Sequence, residues 1–309
     1  MSMALSAPAQ RGAIELHGDG QVGRALRARL AADGIGLAAL HTRSRSEVFS
    51  AVPAGVVVDA TSPAYSGPAA DRWVDWLEGT LAGGRSVATC NKAPLALAWA
   101  RLERAAREGG AVLACSATVG AGTPVVATLR RLQAVHGIER VEASLSGTLA
   151  FVLGEVAAGR SLQEAVGHAQ ACGYTEPDPS IDLDGTDLAA KATILHNVLF
   201  PVPRDLDSDR TPLHIDAGQV RALARDGLHP QAVACIGRDG IRLGVVGRAP
   251  GLLQASGESR TAVDVRAFHP DGSCTLLAGP GAGPHATAAA LAADLRALHD
   301  GRLPAGVWP

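Results

Sequence analysis

The chain has 309 residues, enough for two domains and a sizeable core; 47% are hydrophobic and only 3% aromatic, so that core is built from Ala, Val, Leu and Ile. A formal net charge of -2 with no long acidic or basic run leaves no footprint for nucleic acid or an anionic membrane. No uninterrupted apolar stretch reaches the roughly 18 residues of a membrane-spanning helix, so the expected partner is a small molecule.

The opening MSMALSAPAQRG lacks the basic and apolar segments of a signal peptide and reads as a loose leader. The five cysteines, at 90, 115, 172, 235 and 274, form no C-x-x-C or other metal-ligand spacing and do not pair evenly. That suits free thiols in a reducing cytoplasm, and no metal site is expected.

Residues 13–34, AIELHGDGQVGRALRARLAADG, read as a short apolar strand, glycines at 18, 20 and 23, and a helix closed by Gly34. In that context Gly18 serves the tight turn, Gly20 lets a pyrophosphate approach the backbone, and Gly23 lets helix and strand pack closely. The alternative is an ordinary glycine-rich turn. A site for NAD usually carries an acid about 20 positions on, yet none stands between Gly34 and Ser46, while Arg43 and Arg45 follow the second strand. Two guanidinium groups suit a 2′-phosphate, which makes NADP(H) the first choice and NAD the second. The alternative is two solvated loop arginines.

Further strands are predicted in AGVVVDA (54–60), SVATC (86–90) and AVLAC (111–115), separated by helical stretches such as DRWVDWLEG and PLALAWARLERAAREGG. Alternating strand and helix predicts an α/β fold with a doubly wound parallel Rossmann sheet. Ligands in such sheets bind beyond the carboxyl ends of the strands, which places Thr61, Ser62, Asn91 and Lys92 to touch cofactor or substrate. Lys92 reads equally as a surface charge.

After Gly120, Gly122 and Pro124 the pattern changes. IERVEASLSGTLAFVLGEV predicts a strand, a turn at Ser146, Gly147 and Thr148, and a helix; SLQEAVGHAQACGY predicts a helix with a capping box at Ser161 and Glu164 and a stop at Gly173. GYTEPDPSIDLDGTDLAAK (173–191) then gathers five acids within twelve positions, broken by Pro177, Pro179 and Gly185. It predicts a turn-rich loop running into a helix whose apolar residues, Leu188, Ile194, Leu195, Val198 and Leu199, form one buried stripe. Lys191 falls in that stripe, and a buried ammonium needs a partner, which Asp187 one turn earlier can supply. The bland alternative is an ion pair on a solvated helix face. A lysine that interrupts apolar spacing beside convergent acids favours instead a cationic substrate with a proton donor at hand. From 232 onward AVACIG, IRLGVVGR, TAVDVRAF and CTLLAGP predict strands of a separate antiparallel or mixed sheet, and GPGAGPHATAAALAADLRAL a glycine turn into a helix.

Taken together, HGDGQVGRAL, VVVDATS, SVATCNKAPLA, ATVGAGTPVV, LSGTLAFVLGEV, GYTEPDPSIDLDGTDLAAK and GPGAGPHATAAALAADL resemble homoserine dehydrogenase from about residue 14 to 295. The glycine loop is shared with many dehydrogenases, whereas GYTEPDP joined to GTDLAAK is specific. The resemblance implies reduction of L-aspartate 4-semialdehyde to L-homoserine with a nicotinamide cofactor, a step toward threonine and methionine. It looks like a short monofunctional form without the regulatory domain that many members append.

In that family the lysine matching Lys191 donates the proton, and the aspartate matching Asp187 is its neighbour. The glutamate matching Glu176 receives the substrate ammonium, with Asp182 and Thr148 close by. Lys92 matches a second active-site lysine. Cofactor contacts carry over to Gly18, Gly20, Gln21, Val22, Gly23, Arg43, Thr61, Ser62, Asn91, Lys92, Gly281 and Gly283. An ordinary lysine, with a pKa of about 10.4, begins protonated at neutral pH, which favours the reductive direction. The implied organisation is a dinucleotide-binding domain, 1–132, completed by a helix at 283–299, and an α+β substrate-binding, catalytic and dimerisation domain, 133–282; a cytoplasmic homodimer is expected.

Two positions depart from the family pattern. Ser116 stands where members commonly carry a glutamate that helps hold a monovalent cation beside backbone carbonyls, here those of Val119 and Ala121, and Arg260 lies near a common asparagine. These departures keep open an oxidoreductase of the same fold acting on another small amino aldehyde or amino acid. A non-catalytic NADP-binding sensor is the reading from another class, and the pairing of Lys191 with Asp187 counts against it.

Overall fold

Apolar strands in the first hundred residues alternate with helices, and in the computed structural model they form a parallel sheet. The structure describes residues 14–49, 55–120, 122–175, 179–208, 212–249, 262–281, 283–300 and 307–308. The chain divides into two compact units: Met1–Arg130 with Gly283–Pro309, and Arg131–Ala282. The leader and Arg260 lie outside the described residues.

The first unit contains β1 (Ile14–His17), α1 (Gln21–Ala32), β2 (Leu37–His41), β3 (Ser46–Val48), β4 (Val56–Asp59), α2 (Gly67–Ala82), β5 (Ser86–Thr89), α3 (Lys92–Gly109) and β6 (Leu113–Ala114). The division between units falls inside α4 (Val125–His136). Strands β6, β5, β4, β1 and β2 lie side by side and run parallel, while β3 turns back antiparallel on β2. The order reverses between β1 and β4, which is the switch point where such sheets open a crevice at their carboxyl ends. Leu16, Leu40, Val57, Val58 and Val87 are fully buried, as expected of strands covered on both faces.

The second unit contains β7 (Arg140–Ser144), α5 (Gly147–Ala157), α6 (Leu162–Ala171), α7 (Ser180–Leu183), α8 (Thr186–Leu199), α9 (Ala217–Arg225), β8 (His229–Gly237), β9 (Gly240–Arg248), β10 (Ala262–Phe268) and β11 (Cys274–Pro280). Its five strands are antiparallel in the order β11-β10-β7-β8-β9. Alternation separates the two faces: Val141, Ala143, Ala234, Ile236, Val265 and Ala267 are buried, with α5 and α8 packed against β8. The other face carries Glu142 bonded to Arg248, Asp264 bonded to Arg266, and the partly exposed Val246 and Leu276. The chain then returns to the first unit with α10 (Pro284–His299), which packs on α1 over Leu26, Leu30, Leu291 and Leu295, and with β12 (Val307–Trp308), antiparallel to β6. Among the described residues no helix is long and apolar enough to cross a membrane.

Helices α4 and α9 have no counterpart in the sequence expectation, and three shorter elements also depart from it. The hairpin strand β3, the short α7 within the acidic loop and the edge strand β12 each span two to four residues, too few for periodicity to register. Helix α8 differs in kind: it is buried nearly all round, not along one stripe, and of its residues only Asp187 and Lys191 stay partly exposed.

Candidate cofactor and catalytic sites

In the first unit the chain leaves β1 through Gly18, whose φ of 101° and whose N–H donated to His41 O (2.8 Å) define the turn. A Cβ there would stand 2.4 Å from Ala60 O, and one on Gly23 would stand 2.1 Å from Gly18 O. Neither position admits a side chain without moving backbone. Gly20 is different: nothing lies within 4 Å of where its Cβ would be, and as the N-cap of α1 it makes no side-chain cap. The first N–H groups of α1, at Gln21 and Val22, have no acceptor within the helix and no side-chain cap, and with the positive helix end beside the open space at Gly20 they make the cradle an anionic pyrophosphate needs. A cavity of about 680 Å³ adjoins it, lined among others by Gly18, Gly20, Arg43, Thr61, Ser62 and Trp73. The residues present fit a dinucleotide.

Register puts His41 at the carboxyl end of β2, beside His17, so an imidazole occupies the place where a ribose-gripping acid would stand. The turn after it is tied by Thr42, whose Oγ1 accepts from Arg45 N (3.1 Å) and Ser44 N (3.3 Å). Arg43 rides on that turn at the cavity wall, exposed and without an ion-pair partner among the described residues. Arg45 also lines the cavity but lies 3.2 Å from Glu47, so Arg43 is the guanidinium available to a phosphate.

Thr61 and Asn91 are held by a residue that sequence reasoning missed. Buried Asp59 accepts from Thr61 N (3.0 Å), Thr61 Oγ1 (2.6 Å) and Thr89 Oγ1 (3.1 Å), and Asn91 Nδ2 donates to Thr61 Oγ1 (3.0 Å). Burial raises the Asp59 pKa, against the lowering effect of these bonds. Asn91 Oδ1 also caps α3 by accepting from Ala93 N (3.1 Å), and Lys92 opens that helix half-buried. The VVVDATS pattern was a signal for this network, but an aspartate ending a strand is too common to single out. Ser116 donates its backbone N–H to Asp294 of α10 (3.1 Å); burial pushes the Asp294 carboxyl up to about 6, and burial with Asp294 nearby pushes the Cys115 thiol up to about 12. Gly283, with φ 123°, is the N-cap of α10; Gly281 closes the second unit's last strand region.

In the second unit the acidic segment folds as the one-turn α7, then Gly185 with φ 81°, then α8. A Cβ at Gly185 would meet Leu213 Cβ at 2.8 Å and Leu243 Cδ1 at 2.9 Å, so glycine is required both by the turn and by packing. Asp184 Oδ1 accepts from Thr186 N (2.8 Å) and starts the helix. One turn on, Lys191 Nζ lies 2.7 Å from Asp187 Oδ2 and donates to Leu145 O (2.6 Å); both side chains are 15% exposed. Asp182 accepts from Thr175 Oγ1 (3.1 Å) and lies 3.3 Å from Thr148 Oγ1, which donates more closely to Tyr174 O (2.7 Å). Burial first, and the neighbouring Asp187 second, raise the Asp182 pKa. The structure thus brings Lys191, Asp187, Asp182 and Thr148 together; Glu176 lies outside the described residues.

Residues 124–295, more than half of the chain, match the family model for homoserine dehydrogenase. The chain belongs to the homoserine dehydrogenase family. Its members are NAD(P)-dependent oxidoreductases that act on a CH–OH group. An NAD(+)-dependent homoserine dehydrogenase of Pseudomonas canavaninivorans is 32% identical over 268 residues, 80% of this chain and 71% of that one. A homoserine dehydrogenase of Pyrococcus horikoshii is 31% identical over 188 residues, 60% of this chain and 56% of that one, so this match spans little more than half of the relative. In fold, the chain resembles a hyperthermophilic archaeal homoserine dehydrogenase solved in complex with NADPH, with a TM-score of 0.74 at 24% identity over 93% of this chain and 97% of that one.

Proposed function

We propose that the chain interconverts L-aspartate 4-semialdehyde and L-homoserine with NADP(H), Lys191 moving the proton. The observation that carries this is the near-total burial of α8, broken only at Asp187 and Lys191, which are joined by an ion pair. A fully enclosed helix that opens at one charged pair has that pair facing a ligand. Reduction places a hydride on the carbonyl carbon and leaves an alkoxide; the bound nicotinamide supplies the hydride. Lys191, held as an ammonium by Asp187 and by Leu145 O, stabilises the developing oxyanion and passes its proton to it. In the reverse direction the neutral amine removes the hydroxyl proton.

Asp182, oriented by the Thr175 hydroxyl, is proposed to receive the substrate's ammonium group, a role the family resemblance gives also to Glu176, which lies outside the described residues. Lys92, at the carboxyl end of β5, is proposed to act where cofactor and substrate adjoin. A cationic substrate favours the ionised form of Asp182, offsetting the burial that raises its pKa.

NADP is the proposed cofactor because Arg43 borders the cavity while His41 replaces the ribose-binding acid. The NADPH complex of the archaeal enzyme supports this choice, and the NAD(+)-dependent Pseudomonas relative keeps NAD as the second. The first unit is then the dinucleotide-binding domain and the second the substrate-binding one, with two copies pairing through the second unit's sheet.

The test is the rate at which reduced nicotinamide accumulates when purified protein is given L-homoserine with NADP or NAD. Turnover that needs homoserine and is faster with NADP is expected. A protein that binds NADP but turns over only with a different amino alcohol would replace the substrate assignment.

A further inference from the structure

Strands covered on both faces are ordinarily apolar throughout, yet one face of the first unit's sheet carries Glu15 and His17 on β1 and His41 beside them on β2. The Glu15 and His17 side chains are 18% and 13% exposed, so their desolvation needs compensation. Arg85 bonds Glu15 Oε2, which leaves Oε1 facing both imidazoles: His17 Nε2 at 2.7 Å and His41 Nε2 at 3.5 Å. The two rings stack with centroids 4.4 Å apart, and the three donor atoms lie within 4.8 Å of one another.

From this geometry we infer that Glu15, His17 and His41 form a binding site for a divalent first-row transition ion, zinc being the best fit to two imidazoles and one carboxylate. Around a tetrahedral zinc with bonds of about 2.0–2.2 Å, donor atoms stand roughly 3.3 Å apart, so the two Glu15 pairs, at 2.7 and 3.5 Å, need small adjustments and the pair of imidazole nitrogens, within 4.8 Å, at most about 1.5 Å. His41 Nδ1 lies 2.9 Å from Ser46 Oγ. The tautomer that donates Nδ1–H to that hydroxyl turns the Nε2 lone pair toward a carboxylate oxygen, an arrangement that a cation between them relieves. His17 and His41 both line the cavity next to Gly18, which gives the ion a path from solvent. Binding moves one proton: a neutral His17 shifts its hydrogen from Nε2 to Nδ1 to free Nε2 for the metal bond, and an imidazolium keeps Nδ1–H and releases the Nε2 proton to solvent. The sequence showed no ligand spacing because the set is assembled from two strands that meet only in the sheet. Because His17 and His41 line the cavity assigned to the cofactor, the zinc site is tested without nucleotide present.

Trp76 provides the readout, since its ring lies 4.5 Å from that of His17. The full chain, stripped with a chelator and dialysed, is titrated with zinc chloride by calorimetry and with copper(II) by tryptophan fluorescence. One zinc per chain with micromolar or tighter affinity, and quenching by copper(II) that a chelator reverses, are expected. His41→Gln and His17→Asn should each weaken zinc by at least about tenfold while circular dichroism stays unchanged, and Cys172→Ser and Cys274→Ser, which remove exposed thiols, should leave it intact. An absence of zinc binding, or binding that survives both histidine substitutions, would overturn the assignment.

Discussion

Lys191 and Asp187 are one helical turn apart, and their pairing can be read from spacing alone; only the fold reveals that every other residue of α8 is buried. Spacing therefore found the pair, and packing distinguishes it from a solvated surface bridge. Arg43 differs from Arg45 for an equally local reason: Glu47, brought back by the unforeseen β3 hairpin, engages Arg45 alone. Arg43→Ala should remove one charge-assisted contact of about 1.5–3 kcal/mol, weakening NADPH by roughly 10- to 100-fold and NADH far less. Fluorescence titration of both cofactors checks this, and equal losses would remove the phosphate assignment. Asp294 yields a pH dependence. Its folded pKa of about 6 lies above the ordinary 3.8, so between those values the folded state keeps a proton that the unfolded state has lost. Stability therefore falls as pH rises through that window, by up to about 3 kcal/mol. Asp294→Asn should remove up to about 3 kcal/mol of the decline seen in urea denaturation between about pH 4 and pH 7, leaving the part contributed by Asp59 and Asp182, which burial also raises; an unchanged slope would mean that the carboxyl is ionised throughout.

Among elements, most of the long ones, though not helices α4 and α9, were legible because their cues are chemical and local. The capping box of α6 forms as Ser161 and Glu164 imply, and the strands from β8 to β11 join one antiparallel sheet, as their succession without intervening helices implies. The short α7, β3 and β12 were not legible, since tertiary contacts and not periodicity hold them. The β1–α1 turn separates two uses of glycine. Gly23→Ala drives a methyl to 2.1 Å from Gly18 O and should cost about 1–3 kcal/mol of stability by overpacking, together with cofactor affinity. Gly20→Ala has open space and should leave the melting temperature nearly unchanged while weakening NADPH, because the methyl occupies the ground of the pyrophosphate. Thermal melts alongside cofactor titrations test the pair; two indistinguishable variants would contradict this division of roles.

Across the whole molecule, the change from strand-helix alternation to consecutive strands marked the change of sheet type, while Asp59 and the Ser116–Asp294 contact were invisible. The Ser116–Asp294 contact joins residues 178 positions apart, a pairing that no single-sequence signal carries. The proposed pairing of two copies belongs at this scale. Sedimentation should give twice the mass of one chain, and Leu276→Asp, on the exposed face of the second sheet, should shift it toward one; a wild-type monomer would end the proposal.

The most direct test of proton transfer by Lys191 is Lys191→Ala, measured for both NADPH affinity and turnover with L-homoserine. NADPH should bind as in the wild type while kcat falls by about 10²–10⁴-fold, the range of a lost general acid. Turnover within a few fold of the wild type, with binding unchanged, would contradict that role and move the proton transfer to another group.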